Sequence, residues 1–134
     1  MPRHDDEEIP NDVTLIRAVR PDWVMIEDNV ERLISGTFVD GQLEASCFIA
    51  EEVGGIEGFI QNILPEISRE LGSAFRIAIL PASAARSQGL WICRRPEEYN
   101  DNPAHVVICA ADGMTKSQYR KNAGRLAGQA SLLP

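Results

Sequence analysis

Residues 13–50 contain short runs rich in β-branched and aromatic residues, separated by turn-forming positions, which is a pattern typical of strands. Pro21-Asp22 divides the first two runs, and Asp40-Gly41, the strongest hairpin signal in the chain, divides the last two. We therefore expect strands in the runs VTLIRAV (13–19), WVMI (23–26), ERLISGTFV (31–39) and LEASCFIA (43–50).

The apolar spacing becomes helical after Gly54-Gly55. Apolar residues then recur at i, i+3, i+4, i+7, i+8, i+11 and i+15, which places them on one stripe of a helix. Pro65 interrupts this stripe and should kink or split the helix, and Gly72 supplies its C-terminal stop. We expect a core helix over 56–71, with a stripe formed by Ile56, Phe59, Ile60, Ile63, Leu64, Ile67 and Leu71.

The second half of the chain alternates strands and helices. It reads as FRIAIL (75–80), a short helix PASAARSQ (81–88), LWICR (90–94), HVVICA (105–110) and a closing helix over 114–128. The order predicts one α+β domain with a mixed or mostly antiparallel sheet, covered by the helices 56–71 and 114–128. We expect that sheet to contain LISGTFV (33–39), EASCFI (44–49), FRIAIL, LWICR and HVVICA.

Composition is consistent with one folded domain. The 134 residues are 44% hydrophobic and 25% charged, an ordinary globular balance. Residues 1–12 are charged and aperiodic, so we expect a flexible acidic tail, followed by a single domain over 13–134. This tail has no hydrophobic region of a secretory signal, and no apolar run approaches the length of a membrane helix. We therefore expect a cytoplasmic protein without a membrane segment.

The net charge of -7 conceals a split between the two halves of the chain. Residues 1–72 hold 16 acids and 5 Arg, a balance of -11, whereas residues 73–134 hold 4 acids and 8 Lys and Arg, a balance of +4. Such asymmetry is typical of an interaction surface, although the two halves could also pair with each other. The pI of about 4.8 argues against a nucleic-acid partner, because an acidic protein repels a polyanion.

The closing helix carries the sharpest binding prediction. Its four cations have no carboxylate to pair with, since acids are absent from 114–134. These cations must be solvated, pair across the fold or face an acidic partner. We expect them to bind a protein partner, with self-association as the other option, through Lys116, Arg120, Lys121 and Arg125.

A catalytic alternative centres on His105, at the mouth of the buried strand HVVICA. Imidazole is the usual general base near neutral pH, so a small hydrolase or transferase would use His105 with Ser35 or Cys47 as nucleophile and Arg86 as anion-binding group. Ser46 is a further nucleophile that would have to converge with them. In the structural alternative, His105 bonds a loop carbonyl and fixes the start of its strand. The common catalytic sequence signatures are absent, which leaves the enzyme question open.

The cysteines predict neither metal nor cofactor. Cys47, Cys93 and Cys109 are odd in number and far apart, and no two share metal-ligand spacing. A small thiol within a strand-like run is usually part of the core. We therefore expect no metal site, no disulfide framework and no bound cofactor.

Several short stretches occur in a recognisable order: LIRAVRPDWV (15–24), SGTF (35–38), LEAS (43–46), ARSQGL (85–90) and NPAH (102–105). Together they resemble a group of small uncharacterised bacterial proteins associated with multi-gene conflict or phage-defence loci. The resemblance covers about residues 13–130. It implies a context, a multi-gene conflict or defence system, and brings no catalytic residues with it. The charge split, the ordinary core and the missing catalytic signatures favour a binding or adaptor module that acts with a protein partner encoded beside it. The matching positions are Arg17, Ser35, Phe38, Ser46, Arg86 and His105.

Overall fold

The computed structural model describes residues 5–39, 43–72 and 75–134. The predicted Asp40-Gly41 turn lies outside the described residues, as do residues 1–4 of the predicted tail. The strands are β1 (Thr14–Val19), β2 (Val24–Glu27), β3 (Val30–Leu33), β4 (Glu44–Ile49), β5 (Arg76–Pro81), β6 (Trp91–Arg94), β7 (His105–Cys109) and β8 (Ser131–Leu132). The helices are α1 (Gly55–Asn62), α2 (Leu64–Leu71), α3 (Ala82–Ser87) and α4 (Lys116–Gln129).

Six strands form one antiparallel sheet in the order β6-β7-β4-β1-β5-β8. The longest pairing joins β1 to β5, from Thr14↔Pro81 to Val19↔Arg76. β4 is the other neighbour of β1, and it pairs in turn with β7 from Glu44↔Cys109 to Phe48↔His105. The predicted α+β class with a mostly antiparallel sheet is therefore confirmed, with β1 in the interior of the sheet.

Helices cover both faces of this sheet. Leu15 and Ile16, consecutive residues of β1, are both fully buried and belong to different apolar clusters, because side chains alternate across a strand. The Leu15 side packs against α3 and α4 through Ala82, Ala85, Tyr119, Ala123, Leu126 and Ala127. The Ile16 side packs against α1 through Phe59 and also contacts α2. The two predicted covering helices are thus on opposite faces.

The helix predicted over 56–71 is split, as Pro65 indicated. Residue Ile63 separates α1 from α2, and Pro65 falls in the first turn of α2, where its missing N–H breaks no helical hydrogen bond. Gly72 ends α2 with a left-handed φ of 63°. Within the described ranges, every helix is too short or too polar to cross a bilayer.

The prediction of a sheet strand over LISGTFV (33–39) is wrong. β3 ends at Leu33, and Ser35–Phe38 forms a 3₁₀ turn against α4. The backbone of this turn is satisfied by side chains instead of a neighbouring strand: Arg17 Nε donates to the Thr37 carbonyl at 2.8 Å, and Tyr119 donates to the Phe38 carbonyl at 2.7 Å. Among the strands of the described residues, β3 pairs with β2 alone, as a separate two-stranded hairpin.

Residues 5–12 pack against the domain, which differs from the expected flexible tail. Ile9 is 0% exposed and belongs to the core on the α4 side. The preceding residues bond to the edge of the sheet at β6, where Asp6 N donates to the Ile92 carbonyl at 2.8 Å and Ile92 N donates to the Asp5 carboxylate at 2.9 Å. The segment therefore covers an edge strand that would otherwise expose unpaired backbone groups.

Candidate functional site

His105 begins β7 and is 2% exposed, so both of its ring nitrogens need partners. Nδ1 lies 2.6 Å from the Arg95 carbonyl oxygen, and Nε2 lies 2.7 Å from Ser46 Oγ. A carbonyl oxygen can only accept, so Nδ1 carries a proton, and in the neutral imidazole the Nε2 lone pair then accepts from the Ser46 hydroxyl. The bond to a loop carbonyl is the one expected of a structural histidine, and the serine is an additional partner.

The sheet register brings the serine and the histidine together. Phe48 is paired with His105 across β4 and β7, and Ser46 lies two residues before Phe48, on the same face. The ring of His105 contacts Phe48, with centroids 5.1 Å apart, and Tyr99, with centroids 6.0 Å apart. Ser46 itself is exposed. The pair therefore joins a fixed, buried imidazole to a hydroxyl that solvent can reach.

The other proposed nucleophiles lie away from His105. Cys47 points to the opposite face of β4, in the core with α4, and is 0% exposed. Burial raises the pKa of its thiol to about 11, so the reactive thiolate is scarce near neutral pH. Ser35 begins the 3₁₀ turn beside α4, and its side chain lies next to Gly124 of that helix. Neither is brought to the imidazole.

Arg86 is also separate from His105, and its guanidinium bonds to the N-terminal segment. Nη1 donates to the Ile9 carbonyl at 2.7 Å and to Asn11 Oδ1 at 2.8 Å. Nη2 donates to the Asp6 carbonyl at 2.8 Å, and Nε lies 3.3 Å from the Asp5 carboxylate. These contacts make Arg86 the anchor of residues 5–11, and its donors face protein acceptors.

The remaining arginines of residues 76–95 pair with acids of the fold. Arg94 reaches Glu52 at 2.9 Å and Asp6 at 3.3 Å, and these contacts raise its pKa, with the Glu52 hydrogen bond as the largest cause. The hydrogen bond from Arg76 lowers the pKa of Glu31. A longer pair joins Arg95 to Glu98 at 3.7 Å. Pairing within the molecule thus accounts for this part of the positive half.

The four cations of α4 behave differently. Lys116, Arg120, Lys121 and Arg125 are all exposed, and among the described residues none of them has an ion pair or a side-chain hydrogen bond. A capping box fixes the start of the helix, where Thr115 and Gln118 bond each other's backbone N–H. The inner face of α4 is held in the core by Tyr119, Ala123, Leu126 and Ala127.

These cations form two stripes on the solvent side of α4. At 3.6 residues per turn, Lys116 lies about one turn before Arg120, and Lys121 lies about one turn before Arg125, with the two stripes about 140° apart. The second stripe borders a polar groove of about 490 Å³. Its other lining residues are Ala111, Asp112, Gly113, Met114, Gln118 and Asn122. α4 therefore offers a cationic surface with hydrogen-bonding amides beside it.

Two features were not found from the sequence. A cavity of about 340 Å³ is lined by Tyr99 together with Glu52, Val53, Asn62, Ile63, Glu66, Asn100 and Asn102. In addition, the sulfur atoms of Cys93 and Cys109 lie 3.3 Å apart, although 16 residues separate them in the chain. Adjacent antiparallel strands create this contact, and only the register would have shown it. Within the described residues, no three His, Cys, Asp or Glu side chains group as metal ligands would.

Comparison with known proteins finds no matching family model, no matching curated protein and no matching solved structure. The function must therefore be argued from the geometry of the chain itself.

Proposed function

We propose that this chain is a binding or adaptor module that recognises an acidic surface of a protein partner through α4. The observation that carries the proposal is the unequal treatment of the cations. Arginines at 76–95 are paired with acids of the same chain, whereas the four cations of α4 have no such partner among the described residues.

Helix stability gives no reason for these cations. Lys116 is the first residue of α4, where the positive end of the helix dipole disfavours a cation. Asp112, four residues before Lys116, precedes the helix, and no acid within α4 stands three or four residues away from any of the four, so each lacks a stabilising pair within the helix. Arg125 lies before the last turn of α4, so it does not complement the negative end of the helix dipole. An acidic partner would supply the missing countercharge.

The overall charge also limits the class of partner. With a net charge of -7, the chain as a whole repels a polyanion such as nucleic acid, while the local surface of α4 attracts a limited acidic patch. A protein with such a patch fits both conditions. The proposal further places the chain in the bacterial cytoplasm, in a conflict or phage-defence system, with its partner encoded in the same operon.

The test is capture of partners by the tagged full chain at native expression, in its native host, followed by mass spectrometry. We expect a protein that is recovered with the unaltered chain and lost with Arg120→Glu/Lys121→Glu. Rim charges act mainly on association rate, so binding should weaken as salt rises. Recovery of the bait alone at low salt, or of the same proteins with the double variant, would contradict the proposal.

A matched control separates the site from net charge. Arg69 is an exposed arginine in α2, so Arg69→Glu changes the total charge by as much as Arg120→Glu at a different surface. We expect Arg120→Glu to weaken capture and Arg69→Glu to leave it unchanged. Both variants should show the same thermal unfolding as the unaltered chain. If the captured protein is a second copy, the surface serves self-association.

A further inference from the structure

We propose that Ser46 is a nucleophile, that His105 is its general base, and that the pair transfers acyl groups from activated esters. This inference is independent of the α4 surface, because the pair lies in β4 and β7, on the sheet face opposite the one that α4 covers.

The first support is the direction of the hydrogen bonds. Because the Arg95 carbonyl holds the proton on Nδ1, the lone pair of Nε2 is directed at Ser46 Oγ, 2.7 Å away. A nucleophile in contact with a base, which is itself oriented by a third group, is the arrangement that activates serine in covalent catalysis. Here a main-chain carbonyl is the orienting group.

The second support is that the base is fixed. Phe48 and Tyr99 contact the ring of His105, and Arg95 and His105 also exchange a backbone bond of 3.0 Å from Arg95 N to the His105 carbonyl. Pre-organisation of this kind avoids the cost of ordering a side chain during reaction.

The third support concerns the serine. Its backbone is held in place, since the Ser46 carbonyl accepts from Arg17 Nη1 at 2.7 Å, and Arg17 is 6% exposed. Ser46 is nevertheless an exposed residue, so an ester can approach it from solvent. Burial of His105 requires a hydrogen-bond partner for Nε2, and the partner present is the hydroxyl of an exposed residue.

The chemistry balances without a cofactor. The Ser46 hydroxyl proton passes to Nε2 of His105 while Oγ attacks the carbonyl carbon of the ester. The bond from that carbon to the leaving oxygen then breaks, and the departing alcohol takes the proton from Nε2. Water then attacks the acyl-serine: its oxygen bonds to the acyl carbon as it gives a proton to Nε2, the bond from Ser46 Oγ to that carbon breaks, Oγ regains the proton, and the carboxylic acid leaves.

The test uses the full chain and p-nitrophenyl acetate. Peptide mapping should show acetyl transfer to Ser46, or nitrophenolate release should show turnover, and both signals should disappear in Ser46→Ala. Ser83 is an exposed serine in α3 and serves as the internal reference. General-base assistance predicts that Ser46 reacts about a hundredfold faster than Ser83. Equal rates at the two serines, with no turnover that depends on Ser46, would overturn the proposal.

A variant of the base tests the mechanism. In His105→Asn the side-chain amide can still donate to the Arg95 carbonyl, while the acceptor at Nε2 is lost. We expect reaction at Ser46 to fall to the rate of Ser83, with the fold retained by circular dichroism. An unchanged rate in this variant would overturn the role of His105. If the variant does not fold, the comparison of Ser46 with Ser83 in the unaltered chain still decides whether Ser46 is activated.

Discussion

The Tyr99 hydroxyl donates a hydrogen bond of 3.0 Å to Oε2 of Glu66, which joins the loop before β7 to α2. The same tyrosine ring stacks on His105 and contacts Phe48 edge-on, with centroids 5.0 Å apart. This one residue therefore links the position of α2 to the ring of the proposed base. The pKa of Tyr99 is raised to about 12. Partial burial is the largest cause, and the hydrogen bond to Glu66 is the second largest.

The raised pKa predicts a loss of stability in strong base. The unfolded tyrosine ionises near pH 10, whereas the folded one keeps its proton to about pH 12. Its stabilising contribution is complete below pH 10 and is lost as the pH rises from 10 to 12. A spectral titration at 295 nm, taken as the difference from Tyr99→Phe, should show a phenol ionising near pH 12. A midpoint near 10 would mean that neither burial nor Glu66 affects the hydroxyl.

Removing Arg86 should release the N-terminal segment. Arg86→Ala deletes bonds to the carbonyls of Asp6 and Ile9 and to the side chain of Asn11, and it weakens the anchoring of the buried Ile9. At about 1 kcal/mol for each hydrogen bond, we expect a loss of about 2–4 kcal/mol in the free energy of unfolding, measured in urea.

Limited proteolysis gives a second measurement of the same effect, since cleavage within residues 5–12 should become fast in Arg86→Ala. The control is Arg69→Ala, a truncation of an exposed arginine in α2, which should change stability by less than about 0.5 kcal/mol. Equal stability of the two variants would mean that Ile9 and the bonds of Asp5 and Asp6 to Ile92 hold the segment without Arg86.

The contact between Cys93 and Cys109 predicts selective oxidation. Their sulfur atoms, 3.3 Å apart, need to approach by only about 1.3 Å to reach disulfide bonding distance. With diamide, which takes up the two thiol hydrogens, a Cys93–Cys109 disulfide should form while Cys47 on the opposite face stays a thiol. Unreduced peptide maps would show the cross-link. Mixed pairing that includes Cys47 would mean that oxidation occurs only in an unfolded state.

Hydrophobic periodicity predicted most of the fold because the buried faces of long elements repeat regularly. The stripe of α1 and α2, the break at Pro65 and the buried strand β7 all follow from local pattern. The strand predicted over 33–39 is wrong because the apolar residues there pack beside α4. The hydrogen bonds that satisfy its backbone come from Arg17 and Tyr119, which are distant in the chain.

A weaker local signal was also overlooked in the β2–β3 hairpin. Asp28 and Asn29 both have positive φ, 53° and 64°, as a type I′ turn requires, and these residue types tolerate that conformation better than most. Reading this pair as a turn would have ended the strand pair before the 3₁₀ turn and separated the hairpin from the main sheet.

The candidate sites differ in how much the sequence reveals. The cations of α4 follow from helical spacing and from the absence of neighbouring acids, which are local properties. The Ser46–His105 pair depends on the register of β4 against β7, which joins residues 59 positions apart, and no local pattern fixes that register. The contacts of Arg86 with residues 5–11 could not be predicted for the same reason, because they join parts of the chain that are far apart in sequence.

Two helical glycines should respond to alanine in opposite directions. A Cβ on Gly58 in α1 would overlap the backbone carbonyl oxygen of Val53, so the start of α1 would have to shift. We expect Gly58→Ala to lower the free energy of unfolding by about 1–3 kcal/mol. Gly128, in the last turn of α4, has open space around the same position, and Gly128→Ala should raise it by about 0.5 kcal/mol through helix propensity. Urea unfolding of both variants measures the difference. Stabilisation by Gly58→Ala would show that the Val53 carbonyl oxygen does not lie against Gly58.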